Sequence, residues 1–327
     1  MPKDDGQTGL SRMLTLEIAR VTEAASVAAA KLRGRGDEMA ADQAAVDAMR
    51  RELNRLAING RVVIGEGERD EAPMLFIGEE VGTGDGPAVD IAVDPLEGTT
   101  ICAKALPNAL AVVAIAEAGT LLHAPDIYMD KIAIGPGYDP GLVKLDAPAA
   151  ENLNALAEAK GVPVAEITAC VLDRPRHAKL IEDVRAAGAA IQLIGDGDIA
   201  GVIHTTNPHE TGIDIYMGIG GAPEGVLAAA ALRCIGGQMQ ARLHPLNEHH
   251  RKRADAVGIE DIDRVYTMQE LASGDVIFSA TGVTDGSMLM GVKHRSGSIE
   301  TETVVMRAAT RTVRWIRTEH YAQGKFD

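Results

Sequence analysis

Aromatic side chains are scarce: three Phe, five Tyr and one Trp in 327 residues. The core must therefore be built from Ala, Val, Ile, Leu and Met. Cysteine is scarcer still, at Cys102, Cys170 and Cys234. An odd, widely spaced trio with no C-x-x-C pair and with apolar or small neighbours reads as buried free thiols in a reducing compartment. No run of about 18 uninterrupted apolar residues occurs, since Ala105–Leu122 is broken by Pro107, Asn108 and Glu117, so no membrane span is expected. The chain opens on Lys3–Asp4–Asp5–Gly6 rather than an apolar leader, and a cytoplasmic protein is expected. Basic residues are in deficit as well: 32 Lys and Arg against 47 Asp and Glu leave a net charge of −15. Such a surface repels phosphate backbones, so no nucleic-acid partner is expected. The longest basic run, His249–His250–Arg251–Lys252–Arg253, reads as a solvated face. An acidic chain can still handle phosphate esters if its carboxylates first gather metal cations.

Apolar periodicity predicts a helix from Ser11 to Lys31 and a second one after Gly36–Asp37 that ends at Gly60. Short β-rich runs follow at Val62–Ile64, Ala88–Val93 and Leu110–Ala116, the last apolar enough to be covered on both faces. Gly135–Pro163 turns to Pro, Gly, Asp and Ala, with one helix at Ala149–Lys160. That change places a boundary between two lobes, 1–163 and 164–327. Beyond it, strands at Ile167–Leu172, Ala190–Ile194 and Ile213–Met217 alternate with helices at His177–Ala187, Asp198–Ile203 and Glu224–Ile235. Asp275–Ala280, Met288–Lys293 and Ile299–Arg307 read as closing strands. The class is α/β, a mixed sheet with helices on both faces.

Five clusters carry possible chemistry. In Gly65–Glu66–Gly67–Glu68–Arg69–Asp70–Glu71, acids interleave with glycines after a strand, as a hard-cation loop or an acidic turn would. In Asp94–Pro95–Leu96–Glu97–Gly98–Thr99, an apolar strand ends in two acids, a Gly and a hydroxyl. That suits paired cations beside a phosphate, and the alternative is an Asx-type turn capped by Thr. Arg174–Pro175–Arg176–His177 offers two guanidiniums to an anion, or a solvated charge run. Gly195–Asp196–Gly197–Asp198 offers acceptors for sugar hydroxyls, or a plain turn. Gly218–Ile219–Gly220–Gly221–Ala222–Pro223–Glu224 departs from a dinucleotide loop, because Pro223 replaces its final Gly and no acid follows about 20 residues on. It suits an anion-binding nest with Glu224 toward a metal. No H-E-x-x-H and no G-x-S-x-G occurs, and the cysteines lack a base partner, so metal-assisted attack by water is favoured over a covalent route.

Together with Tyr128–Met129–Asp130–Lys131, these motifs resemble the class II (GlpX-type) fructose-1,6-bisphosphatases of the lithium-sensitive phosphatase superfamily, over nearly the whole chain. The resemblance implies a layered αβαβα sandwich and hydrolysis of the 1-phosphate of fructose 1,6-bisphosphate, in gluconeogenesis, with two or three Mg²⁺ or Mn²⁺ ions. By position it implies metal ligands at Asp42, Glu66, Asp94, Glu97 and Glu224, and catalytic roles for Glu66 and Thr99. It implies sugar-phosphate contacts at Glu97, Gly98, Thr99, Tyr128, Arg174, Pro175, Arg176, Asp196, Gly197, Asp198 and Gly221. A homo-oligomer, dimer or tetramer, is expected. A dual fructose/sedoheptulose bisphosphatase, an inositol-phosphate hydrolase and a non-catalytic sugar-phosphate sensor are the rival readings.

Overall fold

A computed structural model describes residues 10–67, 74–321 and 323–326. Ten helices are found among them: α1 (Leu14–Ala30), α2 (Glu38–Leu53), α3 (Thr99–Ala103), α4 (Ala149–Lys160), α5 (Ala178–Ala186), α6 (Asp198–His204), α7 (Pro208–Thr211), α8 (Ala222–Ile235), α9 (Glu248–Ala256) and α10 (Met268–Leu271). The strands among them form two mixed sheets. The first holds β1 (Asn59–Ile64), β2 (Glu80–Val81), β3 (Ala88–Glu97), β4 (Leu110–Glu117), β11 (Val276–Gly282), β12 (Lys293–Arg295), β13 (Ser298–Arg307) and β14 (Thr312–His320). The second holds β5 (Tyr128–Ile134), β6 (Thr168–Leu172), β7 (Ala190–Ile194), β8 (Ile215–Gly221), β9 (Gln238–His244) and β10 (Tyr266–Thr267). Their orders are β12-β13-β11-β4-β3-β1-β2, with β14 beside β13, and β10-β9-β5-β8-β6-β7. Sheet membership does not follow chain order across residue 163, since β5 lies in the second sheet and β11–β14 in the first.

Apolar surface on both faces of each sheet produces the layering. On β4, Ala111, Val113 and Ile115 face the cluster formed with α1 and α2, whereas Leu110, Val112 and Ala114 face that of α8. This period of two on a wholly apolar strand is what burial on both faces demands. The second sheet repeats the device: Ile132 and Ile134 of β5 pack with Leu153 and Leu156 of α4, while Met129 and Ala133 pack with the α8 cluster. The stack is thus α1/α2, first sheet, α8, second sheet, α4/α5. Buried hydroxyls between α1 and the first sheet are paired, as Thr22 Oγ1 is with Ser279 at 2.9 Å and Thr281 at 2.8 Å. The three cysteines are buried and free, and desolvation pushes the Cys170 and Cys234 thiols up to about 12. Among the described residues no helix is long and apolar enough to cross a membrane.

Several boundaries differ from the sequence reading. Helix α2 is capped by Asp37, whose carboxylate accepts from Ala40 N at 2.9 Å, and it stops at Leu53. Gly60 belongs to β1, because Leu56 and Ile58 turn into the core and Asn54 Oδ1 accepts from Gly82 N at 3.2 Å. Residues 288–292 form a loop rather than a strand: Gly286 N donates to Leu289 O at 2.9 Å and Gly291 N to Asp285 Oδ1 at 3.0 Å, closing the chain on itself. The run Gly218–Gly221 is not a loop but the end of β8, paired with Tyr128–Lys131 of β5.

Candidate active site

The end of β3 brings two acids to one side. Asp94 lies opposite Val112 and Glu97 opposite Leu110, so three residues advance against two on β4. Pro95, which has no N–H to give a ladder, sits in this bulge. In an unbroken strand, residues three apart point to opposite faces; the extra residue turns both carboxylates toward the α8 layer. Gly98 follows with φ 81° and ψ 56°, the left-handed conformation that glycine adopts without cost, and Thr99 opens α3 directly after it.

Other elements aim at the same place. Asp42 comes from α2, Glu66 from the end of β1, and Glu224 from the first turn of α8. A cavity of about 390 Å³ is lined by Asp42, Glu66, Asp94, Gly98, Thr99, Asp196 and Glu224, together with Asp126. Asp42, Glu66, Asp94, Thr99 and Glu224 are half-buried on its walls. Glu97 is buried beneath them, and its Oε1 accepts from Ile199 N at 2.7 Å, tying β3 to the start of α6.

The carboxylates crowd one another without matching cations. Burial, reinforced by Asp42, Glu224 and Asp126, pushes Glu66 up to about 8. Burial pushes Asp42 up to about 6. Glu224 rises to about 7 through burial and Asp198, with Lys131 opposing. Asp94 lies well above the usual carboxylate range from burial, with Glu66, Glu97, Glu224 and Asp42 adding to it. Glu97 is raised likewise, first by burial and then by Asp198. Such repulsion has no structural benefit, and a divalent cation would reverse it. Among the described residues no three His, Cys, Asp or Glu side chains stand close enough together to hold a metal ion as they lie. The donor set nonetheless fits a hard cation: every donor is an oxygen, and Glu97 Oε2 and Glu224 Oε2 are buried with no hydrogen-bond partner.

A second cavity of about 430 Å³ shares Asp126, Asp196 and Glu224 with the first. It adds Tyr128, Arg174, Arg176, Asp198 and Gly221, along with His250 and Arg253. The Arg176 guanidinium is fixed on Ile219 O at 2.8 and 3.1 Å and stacks over the Tyr128 ring at 4.8 Å. Asp198 is buried against Lys131 Nζ, which also donates to Gly221 O at 2.8 Å. Pro175 starts a 3₁₀ turn and Gly197 precedes α6, and neither lines these two cavities. Glu68, Asp70 and Glu71 lie outside the described residues.

Sequence reasoning missed Asp126, His250 and Arg253. Asp126 stands alone between Pro125 and Ile127 with no motif around it, and it reaches both cavities from the segment just ahead of β5. Gly221 gives a test of the assembly. A Cβ there would stand 1.8 Å from Glu224 Oε2, so Gly221→Ala must displace that carboxylate. Turnover should fall at least about tenfold with the circular dichroism spectrum unchanged, as steady-state kinetics will read.

A family model described as bacterial fructose-1,6-bisphosphatase, glpX-encoded, matches residues 12–320. The chain is 46% identical over 330 residues to an Escherichia coli (strain K12) protein named fructose-1,6-bisphosphatase 1 class 2, covering 97% of each chain. It is 47% identical over 341 residues to a Synechococcus sp. (strain JA-3-3Ab) protein, covering 97% of this chain and 98% of that one. That relative is named D-fructose 1,6-bisphosphatase class 2/sedoheptulose 1,7-bisphosphatase.

Proposed function

The chain belongs to the bacterial, glpX-encoded fructose-1,6-bisphosphatase family, and from that premise we infer that its acidic cleft removes the 1-phosphate of fructose 1,6-bisphosphate, yielding fructose 6-phosphate and phosphate. The observation that carries this is the junction of two unlike cavities: one rich in crowded carboxylates, the next lined by Arg174 and Arg176. Two or three Mg²⁺ or Mn²⁺ ions, held by Asp42, Glu66, Asp94, Glu97 and Glu224, would supply charge neutralisation at the phosphoryl group and acidify water.

The chain's own groups do the rest. Arg174 and Arg176 attract the phosphate that stays, and the Tyr128 ring holds the Arg176 guanidinium in place. Half-buried Asp196 accepts from sugar hydroxyls between the two phosphates. The Thr99 hydroxyl, at the cleft wall, orients the attacking water, and Glu66 accepts its proton. Glu97 fixes the first turn of α6 through Ile199 N, and so sets where Asp196 and Asp198 meet the sugar.

The dual activity in the name of the Synechococcus relative supports a second reading, in which the same cleft also takes sedoheptulose 1,7-bisphosphate. A sugar-phosphate sensor is disfavoured, since all five ligand positions are acidic and four of them, Asp42, Glu66, Asp94 and Glu224, line one cavity. Buried free thiols fit a cytoplasmic setting. Trp315 is 54% exposed on the outermost strand β14, which supports a homo-oligomer. The deciding assay measures phosphate release from fructose 1,6-bisphosphate, sedoheptulose 1,7-bisphosphate and inositol monophosphate with Mg²⁺ or Mn²⁺, and with Li⁺ as competitor. Cation-dependent release from the first substrate is the expected result. Release from inositol phosphate alone would refute the assignment.

A further inference from the structure

The basic run His249–Arg253 is not a uniformly solvated face. His249, Arg251 and Lys252 are exposed, whereas His250 and Arg253 are half-buried and both line the cavity of Arg174 and Arg176. The helical period of α9 explains the split, because positions 250, 253 and the buried Ala254 share one side. The helix is anchored there: Asn247 Oδ1 caps it by accepting from His250 N at 2.9 Å. Arg253 Nη1 donates to Asp126 O at 3.1 Å.

The ring of His250 is oriented as well. Its Nδ1 accepts from Leu246 N at 3.3 Å, which leaves Nε2 as the N–H donor of the neutral imidazole. The ring centroid lies 6.4 Å from that of Tyr128, whose ring carries the Arg176 guanidinium. Arg176, Tyr128 and His250 therefore belong to one wall of this cavity.

We propose that α9 is part of the substrate site and that His250 is a binding residue, donating Nε2–H to the phosphate remote from the hydrolysed bond. Arg253 holds Asp126 and the start of β5 against that wall. The inference rests on the bisphosphatase reading and extends it to residues that reading does not use.

His250→Phe keeps a ring and removes the donor, and His250→Gln returns an N–H at similar reach. Kinetics with fructose 1,6-bisphosphate at saturating Mg²⁺ are compared with inhibition by fructose 6-phosphate and by inorganic phosphate. In the Phe variant, KM and the fructose 6-phosphate inhibition constant should each rise about tenfold. Its kcat and phosphate inhibition should stay within about twofold, and Gln should recover most of the lost affinity. If the Phe variant does not fold, His250→Ala supplies the same comparison. A KM within about twofold of the unaltered enzyme overturns the proposal, as does a kcat that falls in step with affinity. An unaltered enzyme that releases no phosphate overturns the bisphosphatase reading instead.

Discussion

Glu66→Gln is expected to lower kcat by about a thousandfold or more without lowering the melting temperature of the metal-free protein. Both halves follow from the same crowding. Glu66 shares its cavity with Asp42, Asp94 and Glu224, and its charged form is disfavoured by burial and by the charges of Asp42, Glu224 and Asp126. A neutral amide of equal size relieves that repulsion, so stability is kept or gained. It also removes the oxygen donor and proton acceptor proposed for turnover. Phosphate-release kinetics and thermal unfolding of the purified variant read the two effects separately. Near-normal kcat would show that Glu66 is a bystander.

Metal removal and pH form the second large effect. Chelation should abolish turnover, and the metal-free protein should be more stable at pH 5 than at pH 8.5. The sign follows from proton linkage. Asp42, Glu66 and Glu224 have folded values raised to about 6, 8 and 7, above ordinary carboxylate values of 3.8 to 4.5. Between those limits the folded chain binds more protons than the unfolded one, so stability falls as pH rises. The contribution is fully present below about pH 4 and is lost as pH rises through about 6, 7 and 8. These groups are half-exposed to the cleft, so the drop in melting temperature from pH 5 to pH 8.5 should be on the order of 5 °C. Saturating Mg²⁺ should flatten it by holding the carboxylates ionised. Differential scanning fluorimetry across that range, with and without Mg²⁺, measures both slopes. A metal-free protein that gains stability toward pH 8.5 would contradict the crowded-carboxylate picture.

Much of this was legible in the chain itself, for identifiable reasons. The burial of β4 on both faces shows in its unbroken apolar run, and the helix read at Glu224–Ile235 is α8, which starts two residues earlier at Ala222. The acids of β3 are conspicuous because a strand seldom ends in Asp–Pro–Leu–Glu–Gly–Thr. What the linear pattern does not encode is the bulge that turns Asp94 and Glu97 to the same side, since it exists only in the register with β4. The strand at Gly218–Gly221 was hidden because glycine has low strand propensity. Its glycines instead make room for neighbours, as a Cβ on Gly220 would stand 1.8 Å from Asp198 Oδ2. His250 was hidden in a charge run, where the residue types say polar and only the helical phase of α9 says which two turn inward.

The cleft acts as one cation site only if carboxylates distant in the chain bind together. Calorimetric titration of the metal-free protein with Mn²⁺ tests it most directly, comparing the unaltered chain with Glu66→Gln and Asp94→Asn. About two or three ions should bind the unaltered chain, and each variant should lose an ion or at least about tenfold in affinity. Identical stoichiometry and affinity in all three proteins would mean that these side chains share a cleft without sharing a metal.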